Sequence, residues 1–263
     1  MVIPQNKKVY FASDIHMGLF PPEKSEERSK HFVQWLTEIQ PTAAALFLVG
    51  DVFDFWYEYK KVVPRGFVRF LGKICEFVDN GIPVHFFAGN HDIWVADYLP
   101  KEIGIILHRE PYCTTINGKN FYIAHGDGLG PGDYSYKILR KIFTNPILQF
   151  MFSRIHPNLA FTFGHWWSKQ SRYSKGIYEE FLGVEKEYLI LYAKEILEKQ
   201  PINYFVFGHR HIPMDIELSP TSRHINLGEW ISAYTYAEFD GNDLQIKSYK
   251  KEFDYSRIIK IRS

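Results

Sequence analysis

Residues 43–54 read AAALFLVGDVFD, so seven consecutive apolar residues lead into a glycine and two aspartates. An apolar run of this length is typical of a strand that is buried on both faces. Gly50, Asp51 and Asp54 lie just beyond the point where that strand ends. The stretch therefore predicts an interior strand of a helix-covered sheet, with carboxylates at one edge of the sheet.

The alternation of strand and helix patterns continues on both sides of this stretch. Apolar runs and alternating patterns predict strands at 8–12, 84–87, 112–116, 121–124 and 204–207. Apolar residues at helical spacing predict helices over 26–40, 67–78 and 185–199. Asn117-Gly118 and Asp240-Gly241 predict hairpin turns, because these residue types tolerate the positive φ angles that such turns need. Together these elements indicate an α/β fold with helices on the faces of the sheet.

Length and composition fit one folded unit. The chain has 263 residues, which predicts a single domain over 1–263, and its net charge of +1 argues against a general nucleic-acid binder. Cys75 and Cys113 are too few for a disulfide framework and are predicted to be buried packing residues. The first eight residues lack the apolar core of a signal peptide, and no apolar stretch reaches about 18 residues, so we expect a cytoplasmic protein.

Five short motifs combine histidine, aspartate, asparagine and glycine, and each follows a predicted strand. They are Asp14-Ile15-His16, Gly50-Asp51-Val52-Phe53-Asp54, Gly89-Asn90-His91-Asp92, His125-Gly126-Asp127 and Gly208-His209-Arg210-His211. The first four follow one another at about 35–40 residues, the length of one strand–helix–strand unit. Each motif alone has an ordinary explanation as a turn or a hydrogen-bonded core residue. All five together, at strand ends, predict one metal-binding site, because ligands collect beyond the carboxyl ends of such strands.

The ligand types indicate which ions this site takes. Imidazole, carboxylate and amide oxygen, without thiolate, favour manganese, iron or zinc over a soft metal. Two ions need a shared ligand, and Asp51 is predicted to bridge them. With Asp14 and Asp51 as the anionic ligands, two divalent ions keep a charge of about +2, which attracts a phosphate. Such ions also bring the pKa of water close to neutrality, which generates a nucleophile.

In this order the motifs resemble those of the calcineurin-like metallophosphoesterases. The resemblance implies a two-sheet β-sandwich flanked by helices, with a dinuclear metal centre. For one metal it implies the ligands Asp14, His16, Asp51 and His211. For the other it implies the ligands Asp51, Asn90, His125 and His209.

Within that family, the chain is similar to the UDP-2,3-diacylglucosamine pyrophosphohydrolases of lipid A biosynthesis. The similarity lies in the run 125–129 and continues in the segment that follows it. It implies substrate contacts from Asp133, Tyr136, Arg140, Ser171 and Arg172. The substrate would be a UDP-linked acylated sugar, cleaved at its pyrophosphate to UMP and 2,3-diacylglucosamine 1-phosphate.

His91 departs from the pattern of those enzymes, which carry arginine at that position. The form Gly89-Asn90-His91-Asp92 is the one usual in the broader family, where the histidine is thought to protonate the leaving oxygen or to bind the phosphate. His91 and Asp92 are therefore predicted to be catalytic, with Asp92 holding a cationic imidazole. Asp54 and Asp127 are predicted to orient the ligands and the proton donor.

Residues 133–175 interrupt the alternation and predict an inserted, mostly helical lid. Between Tyr134 and Lys175 there are seven basic residues, ten aromatic residues and no acidic residue. This composition suits an anionic lipid at the inner leaflet of a membrane. Alternatively, the aromatic residues pack the lid against the sandwich and the basic residues form its solvated face. Trp166-Trp167 favours the lipid interpretation, because adjacent side chains on a helix cannot both face one core.

Three functions fit these patterns. The favoured one is pyrophosphate hydrolysis of a UDP-linked acylated sugar or another phosphorylated lipid, with two divalent ions, Mn²⁺ or else Fe or Zn. The alternative enzyme is a phosphomonoesterase or phosphodiesterase for a different nucleotide or lipid on the same metal core. A non-enzymatic scaffold is the third, and the loss of a metal ligand would indicate it. Nucleic-acid binding through stacked bases is disfavoured by the near-neutral charge.

Overall fold

In the computed structural model, which describes residues 1–132, 134–175 and 180–262, twelve strands form two six-stranded sheets. Strands are numbered in chain order. In spatial order the first sheet contains Leu244–Ser248 (β11), Thr235–Phe239 (β10), Lys8–Ala12 (β1), Ala43–Val49 (β2), Val84–Phe87 (β3) and Ile106–His108 (β4). The second contains Ile259–Ile261 (β12), Pro213–Ser219 (β8), Ser222–Leu227 (β9), Tyr204–Phe207 (β7), Lys119–Ala124 (β6) and Tyr112–Ile116 (β5).

The β2 strand shows why its sequence is apolar throughout. Ala45, Phe47 and Val49 point into the core between the two sheets, whereas Leu46 and Leu48 point into the core beneath the helices. Both faces of the strand are therefore covered, and an uninterrupted apolar run is what such a position needs. β1, β2 and β3 are parallel to one another, as are β6 and β7, so their carboxyl ends share an edge within each sheet.

Helices cover the outer faces of the sandwich. Pro22–Ile39 (α1) and Val68–Asp79 (α2) pack on the first sheet, through side chains such as Trp35 and Phe77. Tyr188–Leu197 (α6) packs on the second sheet. The two-sheet sandwich flanked by helices confirms the predicted fold class.

Element boundaries differ from the predictions at a few places. The α1 helix begins one turn before residue 26, because Pro22 at its first position is compatible with the helix geometry there. The α6 helix is shorter at both ends than the predicted 185–199. Asn117-Gly118 forms the predicted hairpin turn with φ angles of 48° and 79°. Asp240-Gly241 belongs to a longer loop, in which the Asp240 carboxylate accepts hydrogen bonds from the backbone N–H groups of residues 242 and 243.

Three helices occupy the predicted insertion. They are Tyr134–Phe143 (α3), Pro146–Phe152 (α4) and Pro157–Lys175 (α5). Some of their aromatic side chains pack inward, since Phe143 and Phe152 lie 5.1 and 4.9 Å from the ring of Trp94. Others, including Phe150 and Trp166, are more than half exposed. One set of the aromatic residues therefore packs the insertion against the sandwich, and a different set is exposed to solvent.

The cysteine prediction was wrong in part. Cys75 is half-buried, but Cys113 is exposed, because it lies on the outward face of the edge strand β5. Within the described residues, no helix combines the length and apolar character needed to cross a bilayer.

Candidate metal centre

The five motifs meet at one end of the sandwich and come from both sheets. The loops after β1, β2 and β3 carry Asp14, His16, Asp51 and Asn90. The loops after β6 and β7 carry His125, His209 and His211. Because the strands within each set are parallel, these loops leave the same edge of the molecule.

Four residues of the cluster adopt left-handed backbone conformations. The φ angles are 54° for Asp14, 49° for His16, 52° for Asp51 and 63° for His209. This region costs a residue with a side chain on the order of 1 kcal/mol or more, and Asp, Asn and His accept it most readily among non-glycine residues. The loops therefore turn sharply at the strand ends, and local strain accompanies the placement of these side chains.

Gly50 and Gly89 allow the motif loops to pack directly on one another. A β-carbon at Gly50 would overlap the imidazole of His125, and one at Gly89 would overlap the carboxylate and backbone of Asp51. The two glycines are thus required for close approach at the centre of the site, in addition to the positive φ of 83° at Gly50.

Asp14, His16 and His211 form one group of converging ligand atoms. The Nε2 atoms of His16 and His211 are 3.3 Å apart. His211 Nε2 lies 3.2 Å from Asp14 Oδ1, and His16 Nε2 lies 3.8 Å from the same oxygen. The other Asp14 oxygen accepts a hydrogen bond of 3.0 Å from the backbone N–H of His209, which fixes the orientation of the carboxylate.

A second group surrounds the other side of Asp51. His125 Nε2 lies 3.4 Å from Asp51 Oδ2 and 3.3 Å from Asn90 Oδ1. Asp51, His125 and His209 have ligand atoms within 4.8 Å of one another. His125 Nδ1 is 2.8 Å from the backbone carbonyl of Val49. Because a carbonyl can only accept, Nδ1 carries the proton and Nε2 is left with a lone pair for a ligand.

Asp51 connects the two groups. Its Oδ2 atom is 3.8 Å from His16 Nε2 and 3.4 Å from His125 Nε2, so a single carboxylate oxygen faces one histidine of each group. Two ligand atoms of a single ion, each about 2.0–2.1 Å from it, lie roughly 3 Å apart. Separations of 3.2–3.4 Å in both groups are close to that value, so the residues fit a pair of divalent ions.

Electrostatics at the centre favour a bound cation. Burial raises the pKa of Asp51, but the neighbouring His125 and His91 imidazoles outweigh it and hold the pKa well below its ordinary value. Burial lowers the pKa of His16 to about 4, which keeps that imidazole neutral and able to act as a ligand. Burial also raises the pKa of Asp14, but His211 and His125 outweigh it and bring the pKa below its ordinary value. Both carboxylates are therefore charged in a fully buried position, where positive charge is needed to balance them.

His91 is close to this centre, but its partner is not the one predicted. Its Nδ1 atom is 3.0 Å from the backbone carbonyl of Asp54 and 3.1 Å from Ser168 Oγ. The Asp92 carboxylate instead accepts hydrogen bonds from the backbone N–H groups of Gly89, Val52 and Phe53. No ion pair between His91 and Asp92 occurs among the described residues, so the predicted contact was wrong.

Asp92 therefore ties the loop after β3 to the loop after β2. Its side chain turns away from its sequence neighbour because the backbone donors of both loops surround it. Burial and the charge of Asp51 raise the pKa of Asp92 to about 7, despite these backbone donors. The hydrogen bonds of the Asp92 carboxylate thus fix the geometry of the two loops relative to each other.

Asp54 lies behind His16. Its Oδ1 atom is 3.6 Å from His16 Nδ1, the ring nitrogen on the far side from His211. A carboxylate in this position orients a ligating imidazole and increases its basicity. Asp127 occupies a different place, where it accepts a hydrogen bond of 2.5 Å from the phenol of Tyr136 on α3.

Of the five predicted substrate contacts on the insertion, the structure describes the side chains of Tyr136 and Arg140. Asp133 and the side chains of Ser171 and Arg172 lie outside the described residues. Tyr136 reaches the cluster through Asp127, and its ring centroid is 6.4 Å from that of His209. Arg140 donates a hydrogen bond to the backbone carbonyl of Arg109 and lies 3.7 Å from the Glu110 carboxylate, so it attaches α3 to the loop after β4.

Two residues of α5 that were not predicted as site residues reach the cluster. Ser168 donates a hydrogen bond of 3.1 Å to Asp54 Oδ2, and His165 Nδ1 lies 3.9 Å from the same oxygen. The regular spacing of small residues in the sequence does indicate Ser168. Ala160, Gly164 and Ser168 are small residues four positions apart, and all three are buried.

Comparison with known proteins places these observations in a family. Residues 7–213 match the model of the calcineurin-like phosphoesterase family. A UDP-2,3-diacylglucosamine hydrolase from Porphyromonas gingivalis is 36% identical over 92% of this chain and 97% of its own length. A UDP-2,3-diacylglucosamine hydrolase from Actinobacillus succinogenes is 25% identical over 91% of this chain and 99% of its own. A solved structure of a dimetal phosphatase from Danio rerio, 14% identical, matches with a TM-score of 0.43 over 93% of this chain and 99% of that one.

The family match spans all five motifs and confirms the resemblance on which the predicted dinuclear centre was based. Enzymes of this family act on phosphate esters or anhydrides with a pair of divalent metal ions. The chain belongs to the calcineurin-like phosphoesterase family.

Proposed function

We propose that this phosphoesterase hydrolyses the pyrophosphate of UDP-2,3-diacylglucosamine to UMP and 2,3-diacylglucosamine 1-phosphate. The relatives with that activity in their names support the choice, since one of them is 36% identical over nearly the whole chain. The observation that carries the proposal is a large, mostly apolar cavity next to the metal cluster. The alternative remains a phosphomonoesterase or phosphodiesterase for a different nucleotide or lipid on the same core.

The cavity has a volume of about 1260 Å³ and lies between the sandwich and the helix α5. Small-molecule sites are commonly about 300–1,000 Å³, so this space suits a ligand with long chains. Its walls include the aromatic side chains of Phe55, Phe67, Phe161 and Trp166. Asp54, which stands behind His16, also lines it, so an acyl chain inside would bring its sugar phosphate towards the metal cluster.

We propose that Asp14, His16, Asp51 and His211 hold one ion, and that Asp51, Asn90, His125 and His209 hold the other. The donor chemistry suits Mn²⁺, with Fe or Zn as alternatives. When bound, the ions polarise the phosphoryl oxygens and lower the pKa of water towards neutrality. The chain's own residues then bind and orient the pyrophosphate, and His91 is the side chain placed to contact it.

The cavity gives a direct test of the substrate. In Ser29→Trp, an indole on α1 would fill part of the space that Ser29 lines, so the KM for UDP-2,3-diacylglucosamine is expected to rise about tenfold. The reason is that each methylene kept out of an apolar site costs about 0.8 kcal/mol. Turnover of bis(p-nitrophenyl) phosphate, which has no acyl chain, is expected to stay unchanged. Thr37→Trp, on an exposed part of the same helix, is the matched control.

A substrate panel with added manganese completes this test. UMP release from UDP-2,3-diacylglucosamine should exceed hydrolysis of simple monoesters and diesters. Hydrolysis of the simple esters without UMP release would reject the proposal and favour the alternative enzyme.

We also propose that the lid formed by residues 133–175 docks on the inner leaflet of the membrane. Phe150, Met151 and Leu159 are more than half exposed, and residues 134–175 of the lid carry seven basic and no acidic residues. The guanidinium of Arg154 stacks 4.4 Å from the ring of Phe150, so apolar and cationic groups share one surface. Such surfaces suit the boundary between anionic headgroups and acyl chains.

Vesicle sedimentation tests this docking. The double variant Phe150→Ser, Met151→Ser is expected to bind phosphatidylglycerol vesicles at least about tenfold more weakly, because each side chain contributes roughly 1.5–3 kcal/mol when fully buried. Ile106→Ser, an exposed apolar residue on the edge strand β4, is the control and should bind as the wild type does. Equal binding by the double variant and the wild type would contradict the proposed surface.

A further inference from the structure

The α5 helix packs against the loop that follows β2 through its small residues. Ala160, Gly164 and Ser168 are all buried, although most of the other residues between 157 and 170 are exposed. At Gly164 a β-carbon would overlap the ring of Phe55, the residue directly after Asp54. The helix therefore lies on this loop at closer range than any larger residue would permit.

Ser168 is the point at which this packing reaches polar groups of the cluster. Its side chain is 3% exposed, and its hydroxyl donates a hydrogen bond of 3.1 Å to Asp54 Oδ2. The same oxygen atom is 3.1 Å from His91 Nδ1. The other Asp54 oxygen faces His16 Nδ1 at 3.6 Å. One hydroxyl thus connects the helix to His91 directly and to His16 through Asp54.

The donor and acceptor of each hydrogen bond in this network can be assigned. The backbone carbonyl of Asp54, 3.0 Å from His91 Nδ1, can only accept, so Nδ1 carries a proton. That N–H can be shared with the lone pair of Ser168 Oγ, whose own proton goes to the Asp54 carboxylate. The arrangement leaves Nε2 of His91 as the nitrogen available to a substrate phosphate.

We propose that Ser168 is a positioning residue, which couples the seating of α5 on the sandwich to the orientation of His91 and, through Asp54, of His16. The proposal rests on the proposed phosphoesterase site but not on the identity of its substrate. When α5 is seated, both imidazoles are held. Without the Ser168 hydroxyl, Asp54 Oδ2 loses this donor, and His91 Nδ1 keeps the backbone carbonyl of Asp54 as its partner among the described residues.

Kinetics on a small substrate separate positioning from lipid contact. For bis(p-nitrophenyl) phosphate, Ser168→Ala is expected to lower kcat about 10–100-fold, the usual cost of losing a partner that orients a site residue, with little change in KM. Ser168→Cys keeps the shape of the side chain, but its thiol forms only weak hydrogen bonds. It should therefore resemble Ser168→Ala, whereas Ser168→Thr should recover most of the loss. Thr162→Ala, which removes an exposed hydroxyl bonded within the same helix, should behave as the wild type.

Whether the effect of Ser168 on kcat depends on His91 is tested by combining the two substitutions. In His91→Ala protein, the loss of kcat caused by Ser168→Ala is expected to shrink, because one of its two targets is gone. An equal fold-loss in both backgrounds would overturn the coupling to His91. A loss confined to acylated substrates would also overturn the proposal, since it would make Ser168 a substrate contact.

A measurement on metal-free protein removes any dependence on turnover. The ring Nδ1–H resonance of His91 should be visible by ¹⁵N NMR in the wild type and in Ser168→Thr, and broadened by exchange in Ser168→Ala. An unchanged resonance in Ser168→Ala would reject the positioning role. Failure of the substrate assignment would leave this spectrum unaltered, so the two failures are distinguishable.

Discussion

Asp51→Asn protein is expected to purify with both metal ions depleted and with activity at least about 10³-fold lower, beyond the 10–100-fold cost of losing an outer partner. One Asp51 oxygen faces His16 at 3.8 Å and His125 at 3.4 Å, so a change at this residue disturbs both groups of ligands. Asn is the informative replacement. It tolerates the left-handed backbone at this position, with φ of 52°, whereas Ala would add strain to the loss of the ligand.

Metal analysis after purification without chelator measures this effect. Asp14→Asn is the matched comparison, because Asp14 faces His16 and His211 and its loss should empty mainly one position. Asp54→Asn should retain both ions and lose at most about 100-fold in activity, as expected for a residue that orients a ligand. Two equivalents of metal in Asp51→Asn protein would reject the bridging role.

The second large effect is expected at His91. Nδ1 of this imidazole lies 3.0 Å from the Asp54 carbonyl, so under the proposed function Nε2 is the nitrogen that would meet the substrate, either as an acid or as a phosphate ligand. His91→Ala should lower kcat/KM by roughly 10²–10⁴-fold if the imidazole transfers a proton in the transition state. UMP and a sugar phosphate are good leaving groups and need little protonation, so we expect phosphate binding to be the main role.

The leaving-group dependence of kcat/KM separates the two roles. For phosphate binding, His91→Ala should lose the same factor on activated and poor leaving groups, and His91→Arg should retain most turnover. A loss that grows with the pKa of the leaving group would show that His91 is the general acid. Thr162→Ala again provides a control that leaves the network intact.

The strands and the motif loops could be predicted because their signals are local. The uninterrupted apolar run of β2 and the positions of the motifs at strand ends are fixed by residues close in sequence. The seven predicted ligands lie together because parallel strands deliver their carboxyl ends to one edge, a rule of topology that needs no side-chain detail. The short strand β4 was not predicted, because three residues carry too weak a periodic signal.

The partner of His91 could not be predicted, because sequence adjacency does not determine side-chain contact in these loops. Asp92 follows His91 directly, yet its carboxylate bonds the backbone of the β2 loop, forty residues away in sequence. Ser168 is 77 residues from His91 and reaches it only because α5 folds back over the site. Contacts of that kind depend on how the insertion packs against the sandwich. In the sequence, the spacing of small residues on α5 is a weak indication of that packing.

Because the predicted ligands come from two separate sheets, metal binding would also affect the stability of the whole folded chain. Under the proposed ligand set, an ion shared by Asp14 and His211 is a cross-link that encloses on the order of 200 residues of chain. Cross-links that close long loops restrict the unfolded ensemble more than those that close short ones. This one is reversible, so its contribution depends on the concentration of free metal. The supply of metal would then govern how long the folded molecule persists as well as how fast it turns over.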